Sequence, residues 1–179
     1  MTTNTEIQHK MRHDKSFLGV FATDTIPDPK NIPFGKHLIC NFSKIEEQGT
    51  HWIWMHTGGK DTTPLYFDPL GHSSNGIFDS KALGVDNPHF DTFLRHCAQR
   101  LGYSYYRQNT IPIEKPDETT CGELSTWAAM TQQLPNDIQS RIVPAWAEIV
   151  YKSKNMSSKS FEKYIIRKLN LRKNNTNQY

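Results

Sequence analysis

A mixed α/β (α+β) fold with a central mixed sheet is what this sequence predicts, and three features predict it. Short apolar runs separated by turn residues crowd the first half of the chain, the apolar positions change to helical spacing from Asn87, and a second helical pattern opens at Cys121 behind the polar loop EKPDETT. The chain has 179 residues, the size of one domain, and its 36% hydrophobic and 11% aromatic content suffices for a single core, which excludes a wholly disordered chain. No apolar run approaches the roughly 20 residues that a spanning helix requires. The N-terminus MTTNTEIQHKMRHDK has no signal-like apolar stretch, so a soluble, intracellular, non-secreted protein without membrane association is expected.

Taken in order, residues 1–15 are polar and are expected to form a flexible tail, with the domain beginning near Ser16. SFLGVFATDTIP is an apolar run ended by Thr-Asp and Pro, and HLICNF follows the turn-rich DPKNIPFGK. HWIWMHTGG carries bulky residues up to a Gly-Gly stop, and PLYFDPLG follows the turn KDTTP. Each is strand material, and their quick succession suggests one sheet. Phe90, Phe93, Leu94, Cys97 and Leu101 then recur at three and four residues with Gly102 as a stop, which predicts an amphipathic helix. YSYYRQNTIPI reads as a further strand, CGELSTWAAMTQQL as a helix ended by Pro135, and the terminal NNTNQY as polar and mobile. No internal repeat is visible.

The formal net charge of +3 conceals an asymmetry. From Tyr151 onward eight basic residues face the single acid Glu162, a net +7, which leaves −4 on residues 1–150. The predicted organisation is therefore a tail at 1–15, a domain at 16–150, and a basic C-terminal helix and tail at 151–179. Such a segment is an electrostatic footprint for a polyanion such as DNA or for an acidic partner. FEKYIIRKLNL also carries apolar residues that can dock on the body, so a solvated terminal helix is the alternative.

Cys40, Cys97 and Cys121 are odd in number and lack CxxC spacing, which argues against a disulfide framework or a four-cysteine zinc site. Cys121, His51 and Asp68 together have the makings of nucleophilic catalysis. A free thiol, with a pKa of about 8.5, becomes an effective nucleophile beside an imidazolium or a helix N-terminus. Cys121 stands at a loop-to-helix junction preceded by the capping types Asp117, Glu118, Thr119 and Thr120, and Gly122 is read as leaving room for a substrate backbone. His51 would take the thiol proton and return it to the leaving amine, and Asp68 would orient the ring. Taken singly, each residue has a structural reading: a core cysteine, a strand histidine beside Trp52, and an Asp-Pro turn. Trp52 either covers the imidazole or belongs to the core.

These pieces, FLGVF near the start, THW around His51, YFDPLG around Asp68 and TCG at Cys121, resemble the adenovirus-type (adenain-like) maturation cysteine proteases of viruses, virophages and virus-like transposons. More distantly they resemble the ubiquitin-like-protein-processing peptidases of the same fold. The resemblance spans roughly Phe17 to Leu134. It implies a helix starting at the catalytic cysteine and packed on a sheet that carries His and the acid. It further implies an endopeptidase that cleaves capsid or core precursors at Gly-containing sites during virion maturation, in the virion and the infected host cell. No cofactor is required by the sequence, although in that family DNA and a small viral peptide assist activity, which would suit the basic C-terminal segment. Two rivals stand beside this reading. One is a deconjugase of ubiquitin-like proteins with the same mechanism. The other is a catalytically impaired nucleic-acid-binding or capsid-binding protein.

The family places a Gln six or seven residues before the cysteine as an oxyanion donor, but those positions here are Lys115 and Glu114. A carboxylate would repel the oxyanion, whereas a Lys ammonium or a backbone N–H could replace the amide. Gln108 lies thirteen residues upstream and would need a displaced loop, so the side-chain donor is Gln108, Lys115 or neither, and the Cys121 N–H is the expected second donor. Other candidates carry less. His9 and His13 are four apart in a polar terminal segment, His51 and His56 fall on opposite strand faces, and His96 points away from the apolar stripe that holds Cys97. Cys40 and Cys97 read as core, and no GxxxxGK[ST] loop supports nucleotide hydrolysis.

Overall fold

The computed structural model describes residues 2–86, 88–136 and 141–176, and the side chains of all of these except 77, 78 and 171–176. Six helices surround a five-stranded mixed sheet among the described residues. The strands are β1 (Phe17–Phe21), β2 (His37–Asn41), β3 (Trp52–His56), β4 (Leu65–Phe67) and β5 (Arg107–Gln108), and their order in the sheet is their order in the chain. β2, β3 and β4 are antiparallel neighbours, whereas the edge strands β1 and β5 pair parallel with β2 and β4.

The alternation of side chains along these strands builds two cores. Ile39, Trp52, Trp54, Leu65 and Phe67 face the helices α1 (Asn4–Met11), α4 (Cys121–Thr131), α5 (Pro144–Asn155) and α6 (Ser158–Thr176). Leu38, Cys40, Ile53, Met55 and Tyr66 face α3 (Phe90–Arg100), which presents Phe90, Phe93, Leu94 and Cys97. Because both faces of β2 and β3 are covered, these strands read as nearly continuous apolar runs, which is why they were visible in sequence. No helix among the described residues is long and apolar enough to cross a membrane.

Several sequence expectations change. The supposed flexible tail contains α1, started by a capping box between Thr3 and Glu6, and its Ile7 and Met11, one turn apart, are buried in the first core. The boundary expected after Val150 falls inside α5, whose Pro144 sits in its first turn. The basic segment is not an appendage, because Phe161, Ile165 and Leu169, spaced by four along α6, are fully buried against the body. α6 continues to Thr176, so only 177–179 of the expected mobile end lie outside the described residues. The expected strand 103–113 shrinks to the two residues of β5, with Tyr105 exposed. α4 stops at Thr131, before the expected Pro135, where Gln132 turns left-handed. α3 begins at Phe90, and the expected start at Asn87 lies outside the described residues. A short helix, α2 (Ile77–Leu83), has no counterpart in the sequence reading.

Candidate active site

Strand pairing brings the first two site residues together. β3 begins one residue after His51, β4 ends one residue before Asp68, and the antiparallel register opposes Trp54 to Phe67, so both residues emerge at the same edge of the sheet. α4 packs across β3, with the Ser125 hydroxyl donating to the Trp52 carbonyl at 3.1 Å, and this places its first residue, Cys121, beside His51.

His51 is 3% exposed and Asp68 is fully buried. The imidazole Nε2 lies 2.8 Å from Asp68 Oδ1. An ionised carboxylate only accepts, so Nε2 carries the hydrogen and Nδ1 is left to face the thiol. Burial alone would make His51 less basic, but the hydrogen bond to Asp68 and the nearby Cys121 outweigh it and hold the imidazole well above the ordinary histidine value. Burial likewise favours the neutral form of Asp68, and the bond from His51 reverses this, bringing the carboxyl below its ordinary value. A backbone donor and a side-chain amide fix the Asp68 geometry. The Leu70 N–H reaches Oδ1 at 2.8 Å, and the Asn109 amide clamps the Asp68 backbone, accepting its N–H at 2.9 Å and donating to its carbonyl at 2.7 Å. Phe42 leans on the imidazole at 5.5 Å between ring centroids, whereas Trp52 belongs to the core.

The turn after Asp68 carries the next residue. Gly71 donates to the Asp68 carbonyl at 2.8 Å with φ +74°, and a Cβ there would lie 2.8 Å from the Pro112 nitrogen, so both conformation and space require glycine. The Pro69 carbonyl accepts the N–H groups of Ile113 and Glu114, each at 2.9 Å, and so sets Glu114 against the site. Glu114 Oε2 lies 4.0 Å from His51 Nδ1. Oε1 accepts the Thr120 N–H at 2.8 Å, and the carboxyl also bonds to the Cys121 backbone. The cap of α4 therefore comes from Glu114, since the Thr120 side chain makes no capping bond. This corrects two expectations: the residues just before Cys121 do not supply the cap, and the Cys121 N–H is already engaged by a carboxyl. Burial pushes Glu114 up to about 7, against the opposing pull of His51.

The other proposed oxyanion donors point elsewhere. Lys115 Nζ donates to the Met156 carbonyl at 2.8 Å, and Gln108 Oε1 accepts from the Ser74 N–H at 3.2 Å. Gly122 does not open space for a substrate. A Cβ there would lie 2.8 Å from the Thr2 Cβ and 3.1 Å from Trp52, so its smallness admits the chain's own N-terminal segment. His9 lies on α1 and pairs with Arg12, whereas His13 falls beyond the helix end. Cys40 and Cys97 are buried core thiols, and burial raises both, Cys97 to about 11.

The Cys-His pair opens on a cleft of about 810 Å³ walled by Leu70, Leu83, Pro112 and Pro116, with Asp79, Glu114 and Glu118 as acids. Among the described residues, two groups each have donor atoms within 4.8 Å of one another, His51 with Glu114 and Cys121, and His51 with Asp68 and Asp79. A cation in the first set would occupy the imidazole nitrogen that faces the thiol, and one in the second would replace the Nε2 hydrogen that Asp68 accepts, so no metal is assigned. Sequence reasoning missed Asn109, Asp79 and the capping role of Glu114, because each acts through tertiary placement. Only Glu114 had a signal, its spacing of seven from Cys121. No protein-family model matches the chain, and no curated protein matches it significantly in sequence.

Proposed function

We propose that this chain is a cysteine endopeptidase. The observation that supports it most directly is a buried imidazole held by a buried carboxylate on one side and facing Cys121 on the other, at the wall of the cleft. His51 Nδ1 takes the Cys121 proton, and the thiolate adds to a peptide carbonyl. The imidazolium, stabilised by Asp68, protonates the leaving amine, and water then releases the acyl group with His51 as base. The oxyanion requires donors. The Cys121 N–H serves once Glu114 yields it, and the neutral Glu114 carboxyl can itself donate.

Capsid or core precursors cleaved at Gly-containing sites, in the virion or the infected cell, are the substrates to which the motifs around His51, Asp68 and Cys121 point. The exposed Lys154, Lys159, Lys163 and Arg167 offer DNA a binding face. Cys121→Ala should abolish processing of a co-expressed capsid precursor, and continued cleavage contradicts the assignment. A Gly-Gly peptide from a capsid precursor, compared with a ubiquitin-like fusion, separates maturation from deconjugation.

A second reading is favoured by the engaged Cys121 N–H: a protein of this fold that binds nucleic acid or capsid through α6 without turnover. Salt-sensitive DNA binding with no hydrolysis of either substrate would select it.

A further inference from the structure

Behind the His51–Asp68 pair lies a second carboxyl that the peptidase reading does not use. Asp79, in the first turn of α2, is almost as buried as Asp68, with side-chain exposures of 3% and 0%. Each has one oxygen well occupied. Asp68 Oδ1 accepts from His51 and Leu70, and Asp79 Oδ1 is paired with His72 Nδ1. The remaining oxygen of each, Asp68 Oδ2 and Asp79 Oδ2, is buried without a donor. The two carboxyls are within hydrogen-bonding reach of one another, and each lies within 4.8 Å of His51.

Two ionised carboxylates facing each other in a buried site would repel and would leave two acceptors unsatisfied. One proton resolves both conditions, since an O–H···O⁻ bond between carboxyls is short and strong and leaves the pair with a single negative charge. We propose that Asp79 is a positioning residue that shares one proton with Asp68, donating from its Oδ2 to Asp68 Oδ2, and that His72 holds Asp79 in this orientation. The arrangement rests on the peptidase reading for its purpose, which is to lock the Asp68 carboxylate toward His51.

The balance of proton affinity fits. Burial raises Asp79 to about 6, with Asp68 as the next cause, while Asp68 is lowered by His51, so the proton resides on Asp79. The groups facing the pair are His51, His72, Glu114 across the imidazole, and the buried Tyr66 hydroxyl, which burial and then the two carboxyls render less acidic. His72 is 31% exposed, so the chain His72, Asp79, Asp68, His51 and Cys121 runs from solvent to the thiol.

The shared proton is tested directly by ¹³C NMR titration of the aspartate carboxyls in the full chain, a readout that needs no substrate. The proposal expects Asp68 to titrate below the ordinary aspartate value and Asp79 well above it, with the Asp68 signal shifting again as Asp79 ionises. Independent titration of both near the ordinary value would overturn it. Iodoacetamide labelling of Cys121 at pH 5.5, where Asp79 holds its proton, reads the positioning role. Asp79→Leu should slow labelling at least tenfold, and Asp79→Asn, which keeps a donor for Asp68 Oδ2, should recover most of that loss. Equal rates in wild type and Asp79→Leu, or an equal loss in both variants, would overturn it. If Asp79→Leu does not fold, the NMR titration decides. A normal split titration with an unreactive Cys121 would instead overturn the peptidase reading and leave the carboxyl pair standing.

Discussion

Strand β3 carries a buried histidine cluster at each end, and the two behave oppositely. At its start, His51 is surrounded by acceptors: Asp68 at 2.8 Å, Glu114 at 4.0 Å and the Cys121 sulfur. At its end, His56 stacks on His37 at 6.1 Å between ring centroids. There the ring nitrogens meet donors, since the Trp54 indole N–H points at His37 Nδ1 at 3.0 Å and the Gly58 N–H at His56 Nδ1 at 2.9 Å. Asp14 does reach His37 Nε2 at 2.9 Å and the Gln132 side chain bonds to His56, but Asp14 is part-exposed and also serves the N–H and hydroxyl of Ser16, and Gln132 is exposed and uncharged. Burial therefore wins at this end, lowering His37 and bringing His56 down to about 4, whereas Asp68 and Cys121 overcome burial at the other. Burial is common to both clusters. The polarity of what is aimed at the ring decides whether an imidazole can carry a proton.

The strongest way to break the comparison is to remove each histidine in turn. His51→Ala should lower cleavage by about 10³-fold or more with a folded protein, read from single-turnover assays and circular dichroism. His37→Ala should instead cost about 2–4 kcal/mol in urea unfolding, because it orphans the Trp54 N–H, while the surviving folded protein keeps its Cys121 reactivity. Equal effects of both on activity would erase the distinction.

Acid sharpens the contrast through its sign. His56 is depressed from about 6.5 to about 4, so its contribution is present above the unfolded value and is lost as pH falls through that window, up to about 3 kcal/mol. His51 is raised, so its contribution is present at low pH and is lost as pH rises through its folded value. Urea midpoints of His56→Gln and wild type between pH 4 and 7 should converge toward the acid end, and a constant difference would contradict the neutral core cluster.

Gly122→Ala tests the packing that brings the N-terminal segment onto the cysteine helix. The new Cβ meets Thr2 and Trp52, and a loss of about 1–3 kcal/mol is expected from thermal unfolding. Glu114→Gln is the smallest change. With Glu114 near 7, about a tenth of it is neutral at pH 8, so an amide that donates at every pH should raise cleavage about five- to tenfold there and remove the alkaline decline. A fall at pH 8 would show that the carboxylate, and not the acid, is the working form.

The residues legible in sequence were those whose signal is local. β2 and β3 declare themselves by continuous apolar runs, α3 by its stripe, and His51, Asp68 and Cys121 by residue type at element edges. α1 was not legible because only Ile7 and Met11 mark its buried face, and α2 because it is seven residues long and has no side-chain cap. Asp79 and Asn109 lie eleven and forty-one positions from Asp68, and only the fold tells that they meet it. Glu114 shows only its charge in the sequence, whereas its burial and its grip on the start of α4 depend on the Pro69 turn that holds it.

The most direct measurement is the pH dependence of alkylation at each cysteine, read by mass spectrometry in wild type and His51→Ala. The account predicts that Cys121 labels rapidly near pH 6, that Cys40 and Cys97 stay inert, and that the advantage of Cys121 disappears in His51→Ala. Labelling of Cys121 that follows an ordinary thiol in the wild type, or that is indifferent to His51, would contradict the peptidase site.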